Sequence, residues 1–153
     1  MIIMNVMETK ARLENDLKDA MRAGDDLRKR TLRLALASIR LAEVEKGGPL
    51  DENAVLNILQ KEVKSHHESI EDARRAARPD LEQTALKEIA VLEGYLPRQL
   101  SQDELEALAK QVIAEVGASS PREMGQVMKL LVPRLEGRAS GEQASQVVRK
   151  LLQ

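Results

Sequence analysis

The two histidines of the chain, His66 and His67, are adjacent, and there is no cysteine among its 153 residues. On a helix, neighbouring side chains point about 100° apart, so this pair cannot chelate one ion from a single face, and no metal site is expected. His66 falls on an apolar stripe four residues after Glu62. Its expected role is a buried or half-buried histidine hydrogen-bonded to Glu62, with His67 at a flank or on the surface. A general acid or base would need a cleft and partners that no spacing supplies. The carboxylates, for example Glu43 with Glu45 or Asp103 with Glu104 and Glu106, sit in helical charge patterns rather than as a facing catalytic pair. Lack of cysteine removes thiolate chemistry and a disulfide framework. No catalytic residue, no cofactor-binding residue and no cofactor is assigned.

The remaining chemistry is cationic. Arg28, Lys29, Arg30, Arg33 and Arg40 form one basic group, which either pairs with neighbouring acids or faces phosphate. From Pro121 onward six basic residues stand against three acidic ones, and Lys129, Arg134 and Arg138 are the candidate contacts there. Gly137-Arg138-Ala139-Ser140-Gly141 is too short and wrongly spaced for a phosphate loop. It reads either as a turn capping two helices or as a contact loop in which Arg138 meets a phosphate near helix N-terminal amides. Gly125 lies inside a helical pattern, where glycine costs about 0.5–1 kcal/mol relative to alanine. Close helix packing and close approach of a partner to the backbone both explain it. The net charge is −1, and both parts of the chain are nearly neutral when it is divided after Arg98. DNA binding is not expected, because autonomous nucleic-acid binding normally shows a basic domain. With no Phe or Trp and one Tyr, any RNA contact would read backbone and shape rather than stacked bases.

These residues must be positioned by helices. The apolar content is nearly all Leu, Ala, Val, Ile and Met, which favours helix over strand, and an all-α fold follows. Val6, Leu13, Leu17, Ala20 and Met21 mark a first helical face, stopped at Gly24, with Asp25 or Asp26 capping the next helix. That second helix runs to about Lys46, with Leu32, Leu36 and Ile39 on its core face and Leu34 and Leu41 widening it. Asp51 opens the longest segment, with a stripe of Val55, Leu59, Val63, Ile70, Ala73 and Ala77 ended by Pro79. A hairpin partner follows, with Pro79 in its first turn and a stripe of Leu81, Ala85, Ile89, Leu92 and Leu96. Residues 97–100 form a hinge. Capping-box patterns at Ser101/Glu104, Ser120/Glu123 and Ser140/Gln143 then start three short helices, and Pro133 limits or kinks the middle one. The expected organisation is an N-terminal long-helix bundle or hairpin over residues 1–98 and a small three-helix domain over residues 99–153.

The run Met1 to Met7 is short and lacks a preceding basic segment, so it predicts neither a signal peptide nor a membrane span. Met4 and Met7 are further potential starts. A cytosolic address and no membrane partner are the expectation.

Tyr95-Leu96-Pro97-Arg98-Gln99-Leu100-Ser101 with Glu104-Leu105, then Ala114 to Ser120, Met124-Gly125-Gln126-Val127-Met128 and Val132 to Gly141, resemble in order the YqeY-like family. The resemblance covers essentially the whole chain, including the Gly24-Asp25 break and the Gly47-Gly48-Pro49 stretch. It implies an N-terminal helical part and a small C-terminal one similar to the tail of GatB, the B subunit of the glutamine-dependent amidotransferase that amidates mischarged tRNA. In that enzyme the tail contacts tRNA while the chemistry resides elsewhere. The implied function is a non-catalytic adaptor whose partners are tRNA or the amidotransferase and aminoacylation machinery, contacted through Lys129, Arg134, Arg138 and Gly125. Two alternatives stand beside it. One is participation in carbon–nitrogen ligation with glutamine as amido donor, the family's enzymatic association. The other is a protein interaction module without an RNA role. Lys64-Ser65-His66-His67-Glu68-Ser69 departs from the common family pattern, in which basic residues precede the acid and serine; neutral histidines there imply a weaker or pH-dependent contact.

Overall fold

Every described element is helical, and each begins and ends where local chemistry requires it. In the computed structural model residues 8–153 are described, and among them the protein is all-α. The helices are α1 (Thr9–Ala23), α2 (Asp26–Lys46), α3 (Glu52–Arg75), α4 (Pro79–Glu93), α5 (Gln102–Val116), α6 (Met124–Leu135) and α7 (Gly141–Leu152), with one 3-10 turn, Pro121–Glu123, before α6. The expected contribution of Val6 to the first face lies outside the described residues. The chain forms two compact units that part between Tyr95 and Leu96.

In the first unit, Gly24 closes α1 in the left-handed conformation, which glycine adopts without a Cβ penalty. The Asp25 carboxylate then accepts from the Arg28 amide at 3.1 Å, and Asp51 accepts from the Ala54 amide at 2.8 Å. These are N-caps that satisfy amides left without helical partners. The start of α1 is held from elsewhere: the Thr9 amide donates to Glu52 of α3 at 3.2 Å. The core is built from Leu13, Leu32, Leu36, Ile39 and Leu59, each essentially inaccessible to water. Among these elements α3 and α4 pack most extensively on one another, as an antiparallel hairpin. Ile70, Ala85 and Ile89 bury between them, with Val63 alongside.

Five expected core positions are placed differently. Leu34 and Leu41 do not widen the buried face of α2; they are 50% and 62% exposed, and Met21 and Leu81 are exposed as well. Ala77 is outside α3: it takes a left-handed φ of 54°, and the Arg78 amide donates back to the Ala73 carbonyl at 2.9 Å. That bond is the 6→1 closure of a Schellman motif, imposed because Pro79 disfavours helical geometry in the residue before it.

The second unit closes its own core. Leu105, Ala109 and Val112 of α5, Val127, Leu131 and Leu135 of α6, and Ala144, Val147, Val148 and Leu152 of α7 form one buried cluster, against which Leu100 packs. The capping boxes at Ser101/Glu104 and Ser140/Gln143 form reciprocally. At the third, the Glu123 carboxylate accepts from the amides of Ser119 and, at 3.3 Å, Ser120. Pro133 does not end α6, which runs on to Leu135; the missing N–H removes one helical bond, to the Lys129 carbonyl.

Candidate functional site

Three polar constellations are built by these elements. The first joins α2, α3 and α4. His66 is half-buried on α3 and hydrogen-bonded to Glu62, as its stripe position implied, and it has a second partner on α4. Its Nδ1 lies 2.7 Å from the Glu62 backbone carbonyl and its Nε2 2.7 Å from Glu88 Oε2 on α4. A carbonyl oxygen only accepts, so Nδ1 carries a hydrogen. Glu88 also accepts from Arg30 of α2 at 3.2 Å, and the Glu62 carboxylate accepts from the Ser38 hydroxyl at 2.7 Å. Neither ring nitrogen of His66 is left over to meet a substrate. His67 is exposed.

The second constellation surrounds Tyr95, which is buried at the end of the first unit. Its hydroxyl donates to Asp16 of α1 and accepts from Arg28 Nη2 of α2 at 3.3 Å. The Arg12 guanidinium stands 5.1 Å from the ring centroid, a cation–π distance. Burial, then the hydrogen bond to Asp16, push the phenol's ionisation well above the ordinary tyrosine value. Together these contacts resolve much of the basic group on α2. Arg28 faces Asp16, Lys29 pairs with Asp26 and Arg30 with Glu88, whereas among the described residues Arg33 reaches only the Met21 sulfur, at 3.9 Å.

The third lies in the second unit and contains the candidate contacts. Arg134 pairs with Glu115 of α5 at 2.7 Å, and the hydrogen bond to this guanidinium lowers the glutamate's pKa. Arg138 turns inward on the segment before α5: its Nε donates to the Arg98 carbonyl at 3.0 Å, its Nη2 is 3.7 Å from Glu104, and its carbonyl accepts from the Leu100 amide at 2.7 Å. Glu104 also receives Arg98 and caps α5, and these contacts, Arg98 first, hold its pKa down to about 2. The loop at Arg138 is thus a clasp within its own unit. Lys129, by contrast, is exposed on α6 with no ion-pair partner among the described residues. One turn earlier on the same face is Gly125, also exposed. A Cβ added there would meet nothing within 4 Å, so close helix packing is not the reason for this glycine. The three candidate cations therefore do not form one cluster: Lys129 is free, and Arg134 and Arg138 are engaged. Arg122, Arg149 and Lys150 share with Lys129 their exposure and lack of an ion-pair partner. Their sign and helical position were visible in the sequence; the acids that occupy Arg134 and Arg138 were not.

Among the described residues no group of three or more His, Cys, Asp or Glu side chains could hold a metal ion, and no helix is long and apolar enough to cross a membrane.

A family model described as Yqey-like protein matches residues 10–152. Among curated relatives, the protein named "Altered inheritance of mitochondria protein 41, mitochondrial" from Lachancea thermotolerans is 34% identical over 75% of this chain and 63% of its own length. The protein of the same name from Kluyveromyces lactis is 35% identical over 72% of this chain and 62% of its own length. That from Pyrenophora tritici-repentis is 31% identical over 84% of this chain and 71% of its own length. The chain thus spans somewhat under two thirds of the first two relatives. The expected cytosolic address is corrected by this comparison, since all three relatives are named as mitochondrial proteins.

Proposed function

From the premise that the chain belongs to the YqeY-like family, we propose that it is a non-catalytic adaptor whose second unit contacts tRNA, or a protein of the tRNA amidation machinery, through the exposed face of α6. The observation that carries this reading is the pairing of Gly125 with Lys129. A glycine in an exposed helical turn sacrifices stability, and here it relieves no steric conflict. What it leaves is open backbone one turn from a lysine with no internal partner. Local rules broken without a packing reason point to a contact site. The near-neutral charge of the unit argues for few phosphate contacts, and hence for weak binding with a shallow dependence on salt that reads backbone and shape. Arg134 and Arg138 support the surface by fixing α5 against α6 and the α6–α7 loop against the segment before α5.

The test is fluorescence anisotropy of labelled tRNA with the full chain across a salt titration. Saturable binding is expected, weakening with salt; Lys129→Ala should weaken it and reduce the slope of log affinity against log salt by about 1. Gly125→Ala should raise folding stability by about 0.5–1 kcal/mol while weakening binding. No binding at low salt refutes the RNA reading, and undiminished binding in Gly125→Ala refutes the role given to the glycine.

A further inference from the structure

The solvent face of α2 carries an apolar seam that the described residues of its own unit do not cover. Leu34 is 50%, Leu41 62% and Val44 78% exposed, and Ala37 is exposed between them. The spacing is that of alternating a and d positions of a heptad repeat: Leu34 and Leu41 at a, Ala37 and Val44 at d. Leu32 and Ile39, at the opposite f positions, are buried in the core, so the same helix has one face packed inside the unit and a second, heptad-spaced face in water.

We propose that this seam pairs with the same seam of a second copy of the chain, the two α2 helices running parallel. The flanking charges select both the occupant and its direction. Arg33 and Arg40 occupy g positions; Ser38 and Glu45 occupy e positions. In a parallel pair each g residue meets the following e residue of the other helix, which sets Arg40 against the partner's Glu45, twice by symmetry, and Arg33 against the partner's Ser38. In an antiparallel pair g faces g, and Arg33 would stand against the partner's Arg40, a repulsion that also excludes that alignment. Arg40 and Glu45 are both exposed, and among the described residues neither is in an ion pair; Arg40 acts on Glu43 only at longer range, helping to lower its pKa. From Leu34 to Val44 the seam is about 15 Å long at 1.5 Å per residue, short of what a standard interface of about 800 Å² per partner needs. The association is therefore weak and reversible.

Sedimentation equilibrium of the full chain from micromolar to near-millimolar concentration tests this. The weight-average mass is expected to rise above the 17.0 kDa of the single chain as concentration increases. The double variant Leu34→Glu, Leu41→Glu should weaken association by at least about tenfold while far-UV circular dichroism and thermal midpoint stay unchanged, because both side chains are already in water. Arg40→Glu alone and Glu45→Arg alone should each associate less, and an equimolar mixture of the two should recover, since the mixture restores opposite charge at both g–e contacts. A wild-type chain that stays at single-chain mass throughout overturns the proposal and leaves the seam to a different partner. Association indifferent to the leucine variant overturns this face as the interface, and failure of the mixture to recover overturns the parallel alignment.

Discussion

Tyr95→Phe removes one oxygen from the first unit and little else, because the ring, its burial and the 5.1 Å stacking of Arg12 all survive the change. What is lost is the hydroxyl that links Asp16 of α1 to Arg28 of α2. Hydrogen bonds to charged groups contribute about 1.5–3 kcal/mol. The Asp16 side chain is a third exposed, so water can replace part of the bond, and the expected loss is about 1–2 kcal/mol. At about 4–8 °C per kcal/mol for a domain of this size, the first unit's thermal midpoint should fall by roughly 5–15 °C. Calorimetry of the full chain measures the shift. In the wild-type protein the first unit's transition can be recognised by tyrosine fluorescence, since Tyr95 is the sole aromatic residue. The alkaline limb provides a second reading. The phenol's pKa is raised in the fold, so its contribution is complete below the unfolded value of about 10 and is lost as pH rises through the folded one; Tyr95→Phe should lack that alkaline loss. A midpoint shift under about 2 °C, or a double-mutant cycle of Tyr95→Phe with Asp16→Asn that shows no coupling, would refute the reasoning.

Ala77→Gly should stabilise the α3–α4 hairpin by about 0.5–1 kcal/mol, because Ala77 holds a left-handed φ that costs an L-residue about 1–2 kcal/mol and glycine much less; urea unfolding would show a higher midpoint at unchanged slope. In the second unit, Glu104 has a folded pKa of about 2 against an ordinary value of 4.5, so its contribution is present above 4.5 and is lost as pH falls from there toward 2. Glu104→Gln should flatten that unit's stability across this window, and carboxyl NMR titration of the wild-type chain should show Glu104 ionised at pH 3.5.

The helix boundaries were legible because caps are local: Asp25, Asp51, Ser101 and Ser140 each bond an amide three residues away, and a four-residue window contains the whole interaction. Core faces were legible where one stripe dominated, as in α3 and α4, where Val55, Leu59, Ile70, Ala85, Ile89 and Leu92 are buried. They were misread on α2, where Leu34 and Leu41 are seven residues apart and as periodic as Leu32 and Ile39; periodicity shows that an apolar face exists, and only tertiary packing shows which of two is buried. The same limit applies to the polar groups. The bond of His66 to Glu62 was legible because both lie on one helix, whereas its second partner, Glu88, is 22 residues away. Arg134 and Arg138 looked available because Glu115 and Glu104 approach them only when α5, α6 and the segment before α5 come together. Gly125 was singled out by its cost in a helix, and the open space beside it removes close helix packing as the explanation of that cost.

The clasp at Arg138 also has a mechanical meaning. The Leu100 amide and the Arg98 carbonyl, only a few residues beyond the point where the two units part, are tied to a loop nearly forty residues further along the chain. Tension arriving through Pro97 therefore meets this tie before it reaches the first turn of α5, and it is passed to the α6–α7 loop as well as along the chain. To peel the second unit from its N-terminal end, a pull must break the Leu100–Arg138 and Arg138–Arg98 bonds at the outset, and until they break the capping box at Ser101 and the helix behind it carry little of the load.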